Sequence, residues 1–373
     1  MRASASIPVL VLTPPAGASR AERWLARGQS AAAVQLARLL RGIDGIGPSF
    51  ALCGEPDDQV ILAEEGLRRF DPGVGSFHFG EVLARFAAEH AGGPLAYFGG
   101  ASGPLLTAET IAAAVADVRA ADRPAAFVNN LHSSDWAILN DSGALERLTQ
   151  RFPSDNQLGW VLSREAGFHV TALPPSAESR ADIDTPADLL LLKDHPRLGH
   201  ALKEVAASAP QESVERISRL RRILRTPGET LGIIGRASSH VWGEIERRTS
   251  IWVRLFVEER GMLASGRAAR GEVRSLIAMA YQAWGPEGFM ERMSQLVGGL
   301  IWDTRVWMSH RGAWPTAADR CASDLGWADE IHDPGLGELT RAATNAKIPV
   351  LLGGHGVVAG GLYAFLESLE IAG

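Results

Sequence analysis

The stretch RADIDTPADLLLL (180–192) sets carboxylates at Asp182, Asp184 and Asp188 around a Thr-Pro step that leads into a leucine run. Part of this is helix punctuation. Asp184 or Thr185 can take the N-cap position, Pro186 the first turn, and Asp188 the positive end of the helix dipole. Asp182 and Asp184 are left over as two hard oxygen donors one residue apart, a candidate pair for a divalent cation. Two loops nearer the N-terminus have the composition of phosphate cradles. TPPAGAS offers Gly17 and Ser19 for backbone N–H approach, with Arg20, Arg23 and Arg27 for charge. FGGASGPLLTAE offers Gly99, Gly100 and Ser102, with Pro104 and Thr107 preparing a helix start. Both also read as plain glycine-containing turns into capped helices.

A second set of polar residues lies toward the C-terminus. IGRASSH brings Arg236, Ser238 and Ser239 to a strand-to-helix turn, WDTRVWMSH carries Asp303, Arg305 and His310, and LLGGHG sets His355 among glycines. If the strands before these loops are parallel neighbours, Arg236, Asp303, Arg305, His310 and His355 converge on one sheet edge. That edge would be an anion-binding site with a candidate acid and base. Taken singly, each residue is better accounted for by a salt bridge or a helix cap; it is the set together that points to a site. HxH and HxxxH metal pairs are absent, and GGHGVVAGG puts histidine where a nucleophile elbow needs serine.

These loops need elements to position them. Ile7–Leu12 reads as a buried strand, TPPAGASRAERWLARGQS as a loop, and Ala31–Leu40 as a helix. Further strands are expected at Phe50–Cys53, Pro94–Phe98 and Ala125–Val128, with helices over 57–69, 80–90 and up to Arg119. Such alternation indicates an α/β fold with a mostly parallel, Rossmann-like sheet, whose ligands bind beyond the strand C-terminal ends. A second alternation follows 229, with strands at 231–235, 251–260 and 300–310, helices over 239–248, 271–284 and 287–297, and IPVLLGGHG (348–356) leading into a final helix to about Leu369. At 373 residues the chain exceeds one ordinary core. The expected division is a domain over 1–195, a polar helical linker over 196–228 closed by Pro227-Gly228, and a smaller α/β domain over 229–373. The linker arginines Arg216, Arg219, Arg221, Arg222 and Arg225 fit a solvated face.

The order of strand, glycine-containing loop, GGASGPLLTAE, SDNQLGWVLSREAGFHVTALP and DIDTPADL resembles the GT-A-like nucleotidyltransferases. The likeness covers about residues 5–195 and is best to the molybdenum-cofactor guanylyltransferase and phospholactate guanylyltransferase group. It implies that an acidic or phosphorylated small metabolite attacks the α-phosphate of an NTP, with guanine favoured, Mg²⁺ neutralising charge and pyrophosphate leaving. It also implies metal and catalytic roles for Asp182 and Asp184, and nucleotide contacts at Gly17, Ser19, Arg20, Gly99, Gly100 and Ser102. Two departures stand out: GGASGPLL lacks the family's usual aspartate, and the first loop lacks a lysine. Asp135 in NNLHSSD is the candidate replacement ligand, although that segment also reads as an Asx-rich strand end. The alternative is a metal-poor nucleotide-binding module, with any chemistry in the C-terminal half.

Composition narrows the partners. A formal net charge of −6 argues against general nucleic-acid or anionic-membrane binding. Two distant cysteines, Cys53 and Cys321, suggest neither a disulfide framework nor a zinc site. The N-terminal apolar run is too short for a secretory core, and no apolar run spans a bilayer, so a cytoplasmic protein is expected.

Overall fold

The apolar run IPVLVLT is a buried strand, β1 (Ile7–Thr13), near the middle of a seven-stranded sheet. The computed structural model describes residues 6–73 and 75–369. The other strands of this sheet are β2 (Ile46–Cys53), β3 (Arg68–Arg69), β4 (Leu95–Gly99), β5 (Ala125–Val128), β6 (Trp136–Leu139) and β7 (His169–Ala172). Their order is β3-β2-β1-β4-β6-β5-β7. Every pairing is parallel except those of β6, which runs antiparallel to both β4 and β5. Only 129–135 separate β5 from β6, too little chain for a parallel crossover, so β6 must reverse.

Both faces of this sheet are covered, as a mostly parallel sheet requires. On one, Val9, Val11, Phe98 and Ile138 pack with Leu36 and Leu40 of the helix Arg20–Arg41 and with Ile111, Val115 and Val118 of the helix Ala108–Ala120. On the other, Leu10, Tyr97, Val128 and Leu139 pack with Leu83 and Phe86 of the helix Phe79–Phe86 and with Leu158 and Leu162. Strand alternation divides the residues between the two faces.

A second sheet contains β8 (Thr230–Gly235), β9 (Trp252–Val257), β10 (Gly299–Asp303) and β11 (Val350–Gly353), all parallel, in the order β11-β10-β8-β9. The protein is therefore a mixed α/β chain with a large, mostly parallel sheet and a smaller one. No helix among the described residues is long and apolar enough to cross a membrane.

The chain divides into two compact units: one takes the N-terminal strand and Gln29–Arg180, the other Gly17–Gly28 and the chain from Ala181. The break thus precedes DIDTP, where the sequence reading places it after residue 195. Leu189, Leu190, Leu191 and Leu192 are fully buried, and Leu191 sits against Gly361 of the helix Gly360–Glu367. The segment 196–228 is helical, as expected of it. It forms the helices His200–Ala207 and Gln211–Arg225, and Leu220 and Ile223 of the latter pack on Gly299 of β10. The first loop is also shorter than expected. Helix begins at Arg20, and Trp24 donates to Ser208 Oγ at 3.1 Å.

The expected strand over 300–310 stops at Asp303, and Arg305–His310 is helical. The Asp303 carboxylate accepts the Arg305 N–H at 3.2 Å and turns the chain. Periodicity could not separate the two, because Trp302 and Trp307 are both buried and an apolar run serves a buried strand and a buried helix alike.

In the first unit, Trp136 stacks between Phe98 and Phe127 at centroid distances of 5.5 and 6.1 Å. Trp136→Ala should destabilise the protein by about 3–5 kcal/mol. Urea unfolding checks this; an unchanged midpoint would show that the stack is not a structural centre.

Candidate functional site

In the large sheet the chain leaves β1 toward β2 on one side and lies against β4 on the other, so the carboxyl ends of β1 and β4 flank a topological switch point. Gly100 closes this edge. Its N–H donates to the Leu12 carbonyl at 2.7 Å, and a Cβ there would lie 2.8 Å from Thr13 Cγ2 and 3.1 Å from Leu12 O. A side chain there would have to displace Thr13 and crowd the β1 backbone, which glycine avoids. Gly99 donates its N–H to the Asp135 carbonyl at 2.9 Å, and Ser102 Oγ donates to Gly99 O at 2.5 Å and Asp135 O at 3.2 Å. Asp135 thus stands beside the GGASG loop through its backbone, while its carboxylate accepts from Asn129 Nδ2 at 2.6 Å.

The helix starts after both candidate cradles already hold carboxylates. Ser19 Oγ accepts the Glu22 N–H at 3.1 Å and Glu22 accepts the Ser19 N–H at 3.0 Å, a reciprocal capping box. A Cβ on Gly17 would collide with that same Glu22 carboxylate. Arg20 points its charge elsewhere, to Glu330 at 3.5 Å and over the Trp327 ring. Ahead of the helix Ala108–Ala120, Glu178 Oε1 accepts from the Thr107 N–H at 3.1 Å and from Thr110 Oγ1 at 2.6 Å. Gly17, Ser19 and Arg20 belong to the second unit, Gly99, Gly100, Ser102 and Asp135 to the first.

The small sheet has its own switch point, between β8 and β10. Gly235 ends β8 at φ +126°, and a side chain there would strike Asp303 at the end of β10. This close approach brings Arg236 onto Asp303 with Nε···Oδ2 at 2.6 Å and Nη2···Oδ1 at 3.1 Å. Asp303 is wholly buried. Burial alone would raise its carboxyl, but the Arg236 guanidinium outweighs it and holds the group below the usual range. Arg305 is also buried. It reaches Asp324 at 3.1 and 3.4 Å, Thr304 Oγ1 at 2.9 Å and the Gly353 carbonyl of β11 at 3.3 Å.

His355 follows on the Gly353-Gly354 turn. It keeps solvent-accessible surface, yet the surrounding protein and then the Arg236 charge push its imidazole down to about 4, so the ring is neutral at pH 7. Asp188, from the DIDTP segment, reaches the same turn: a side chain on Gly356 would overlap its Oδ1. Asp188 Oδ2 accepts the Thr185 N–H and Oγ1, both at 2.8 Å, and Oδ1 is buried without a hydrogen-bond partner. Burial first, and the neighbouring Asp184 charge second, push this carboxyl up to about 8. Asp184 is crowded by protein even though part of it meets solvent, and its carboxyl is raised for that reason. The hydrogen-bonding contact with the Asp182 side chain and the charge of Arg305 oppose the rise.

The structure therefore gathers Arg236, Asp303, Arg305 and His355 on one edge. His310 does not join them. Its Nδ1 accepts the Ser275 N–H at 3.1 Å, where Glu258 also caps the helix Leu276–Leu296, because 305–310 is helix and not strand. Two buried members of this edge, Asp188 and Asp324, were not singled out from sequence as site residues. The spacing T-x-x-D in DTPAD signals the Thr185–Asp188 capping box, but nothing local announces that Asp324 meets Arg305. Among the described residues, no three His, Cys, Asp or Glu side chains gather to hold a metal ion.

Two outcomes follow from this geometry. Arg305→Met leaves Asp324 buried and uncompensated and should cost about 3–5 kcal/mol, largely recovered in the double variant with Asp324→Leu; denaturant unfolding of both variants checks it. Asp188 holds its proton more tightly folded than unfolded, where aspartate titrates near ~4. Its contribution is full below that pH and is lost as the pH rises toward about 8. Asp188→Asn should flatten the fall in melting temperature across that window; a profile parallel to the parent protein's would refute the assignment.

No protein-family model matches the chain, and no curated protein matches it at a significant level. Among solved structures, it is similar to a cytidylyltransferase from Leptospira borgpetersenii serovar Hardjo-bovis at 16% identity and a TM-score of 0.39, over 54% of this chain and 94% of that one. It is also similar to a protein of Aquifex aeolicus VF5 at 11% identity and a TM-score of 0.36, over 46% of this chain and 90% of that one.

Proposed function

We propose that the chain is a nucleotidyltransferase-like enzyme that receives an NTP at the β1–β4 edge of its first unit. The observation that carries this reading is the closure of that edge by Gly100, whose backbone lies on Leu12 and Thr13 and leaves the GGASG loop at a strand-end switch point beside Asp135. In the reaction, an oxygen of a small phosphorylated or acidic metabolite attacks the α-phosphorus. That P–O bond forms as the bond to the bridging oxygen breaks, and pyrophosphate leaves. Guanylyl transfer is the version the family resemblance favours.

Asp182 and Asp184 would hold Mg²⁺. Their side chains are in hydrogen-bonding contact, so they repel when both are ionised, and a hard divalent cation relieves that repulsion. Mg²⁺ typically takes one or two carboxylates, with water and phosphate oxygens completing its shell, so a pair of acids is enough to hold it. A divalent ion held by such a carboxylate pair would supply charge neutralisation of the kind nucleotidyl transfer needs. One observation favours a second reading, a nucleotide-binding module without transfer: Glu22 and Glu178 occupy the helix starts that phosphate would use.

Thermal shift of the full chain with GTP, CTP, ATP and UTP, each with and without Mg²⁺, separates the readings. Saturation at 100 times Kd corresponds to about 2.7 kcal/mol of stabilisation. Transfer requires a Mg²⁺-dependent rise, largest with GTP, that Asp182→Asn or Asp184→Asn abolishes. A rise indifferent to Mg²⁺ and to both variants supports the binding module. No rise with any NTP overturns both.

A further inference from the structure

The small sheet ends at β9, and among the described residues no further strand pairs with its outer side. We propose that this edge is the interface of a homodimer, in which β9 pairs antiparallel with β9 of a second copy about a two-fold axis at Leu255. The backbone sets the pattern. The N–H groups of Trp252 and Glu258 donate to the Glu229 and Gly235 carbonyls on the β8 side, so Arg254 and Phe256 between them also turn their amides and carbonyls inward. Val253, Leu255 and Val257 turn theirs outward, where they meet no partner among the described residues. Natural edge strands are usually blunted by proline, lysine or a bulge. The sequence WVRLFV has no proline or lysine, its register with β8 is unbroken, and its one charge, Arg254, is drawn back to the Leu296 carbonyl at 3.0 Å.

A second copy is the partner because this edge is complementary to itself. A two-fold interface presents the same surface twice, so it needs a strip that matches when reversed. Val253, Leu255 and Val257 read the same in both directions. With Leu255 on the axis, each Leu255 faces its counterpart, each Val253 faces Val257 of the second copy, and every outward amide and carbonyl of the strand finds a partner. Centring the pair on Arg254 would set two guanidinium groups opposite each other, which destabilises a pair of strands. The Leu255 register places Phe256 of the second copy there, a ring that attracts a cation.

The same register covers the exposed apolar surface beside the strand. Alternation puts Trp252, Arg254 and Phe256 on one face, and Phe256 packs against the cluster that holds Ile277 and Met293, so this is the face of the helix Leu276–Leu296. Trp252 is 71% exposed and Leu276 75%. The Leu276 N–H donates to Glu258 at 2.7 Å, which fixes the start of that helix at the end of β9. Across the axis Trp252 falls opposite Glu258 of the second copy, and therefore beside its Leu276. With Val257 and Met279 these side chains expose on the order of 400 Å² of apolar surface, about half of the ~800 Å² that each partner buries in a standard interface. The strand backbone and Arg254 add to that area.

Sedimentation velocity of the full chain at micromolar concentration is the test, and the parent protein should run as a dimer. Trp252→Glu and Leu276→Glu, both at exposed positions, should each raise the dimer Kd about tenfold or more while the circular dichroism spectrum stays parental. Leu255→Cys reads the register. Hydrogen-bonded antiparallel neighbours lie ~5.5 Å apart at Cα, within disulfide reach, so mild oxidation should crosslink this variant but neither the parent protein nor Val253→Cys. A monomeric parent protein, an open series of larger species, a dimer indifferent to both glutamates, or a Leu255→Cys dimer that fails to crosslink each overturns the proposal.

Discussion

Two ion pairs, partly buried Arg236 with buried Asp303 and buried Arg305 with buried Asp324, fix the carboxyl edge of the small sheet. Removing such groups from water costs several kcal/mol per ion, and attraction offsets that only when the geometry and remaining hydrogen bonds are complete. Here they are. Asp303 serves both the Arg236 side chain and the Arg305 N–H, and Arg305 also serves Thr304 and Gly353. The ends of β8, β10 and β11 and the helix Ala317–Leu325 are thereby held in one arrangement. Glycines at 235, 353 and 354 let those strand ends crowd together, and His355 takes its position from the result. The network works as a device of placement more than of net stability.

The large sheet solves a related problem with charge of the opposite kind. Its unit and the segment 17–28 each begin a helix after a glycine-containing loop, and each helix start takes an internal carboxylate, Glu178 and Glu22. That satisfies orphan N–H groups and the helix dipole within the chain. A nucleotide phosphate approaching either loop must displace a carboxylate or bind through other groups. The GGASG loop is likewise satisfied internally, with Ser102 spent on Gly99 and Asp135. What remains open at this edge is backbone shape, the close seat of Gly100 on β1.

Much of the architecture is legible from local pattern. Short β-branched and apolar runs give β1, β4, β5, β8 and β11, and alternation with helices gives the parallel sheets. The reversal of β6 follows from the length of 129–135 once Trp136–Leu139 is known to be a strand, but WAIL alone did not announce it. The strand over 300–310 was overextended because Trp302, Val306 and Trp307 are buried on both sides of the turn at Asp303. The convergence of Arg236, Asp303, Arg305 and His355 could be anticipated from parallel strand ends. The pairing of Arg305 with Asp324 could not, since it depends on how a helix whose Asp324 lies 19 residues on packs back, which no spacing encodes.

The DIDTP segment shows most clearly why a motif and its surroundings have to be read together. As sequence it closes the first α/β run, and its acids look like ligands for a reaction there. In the structure it belongs to the second unit, where burial raises the Asp184 carboxyl against the opposing charge of Arg305, and burial, followed by the charges of Asp184 and Asp324, raises that of Asp188. Any change in the charge state of Asp184, by proton or by cation, therefore alters the field at Asp188 and at Arg305. Asp188 in turn lies against Gly356, next in the chain to His355. A divalent ion drawn to Asp182 and Asp184 would offset the negative charge that holds the Asp188 proton and so favour its release. The carboxylates that suggest metal chemistry and the buried network that positions His355 are thus one electrostatic system, and neither can be assigned a role without fixing the charge of the other.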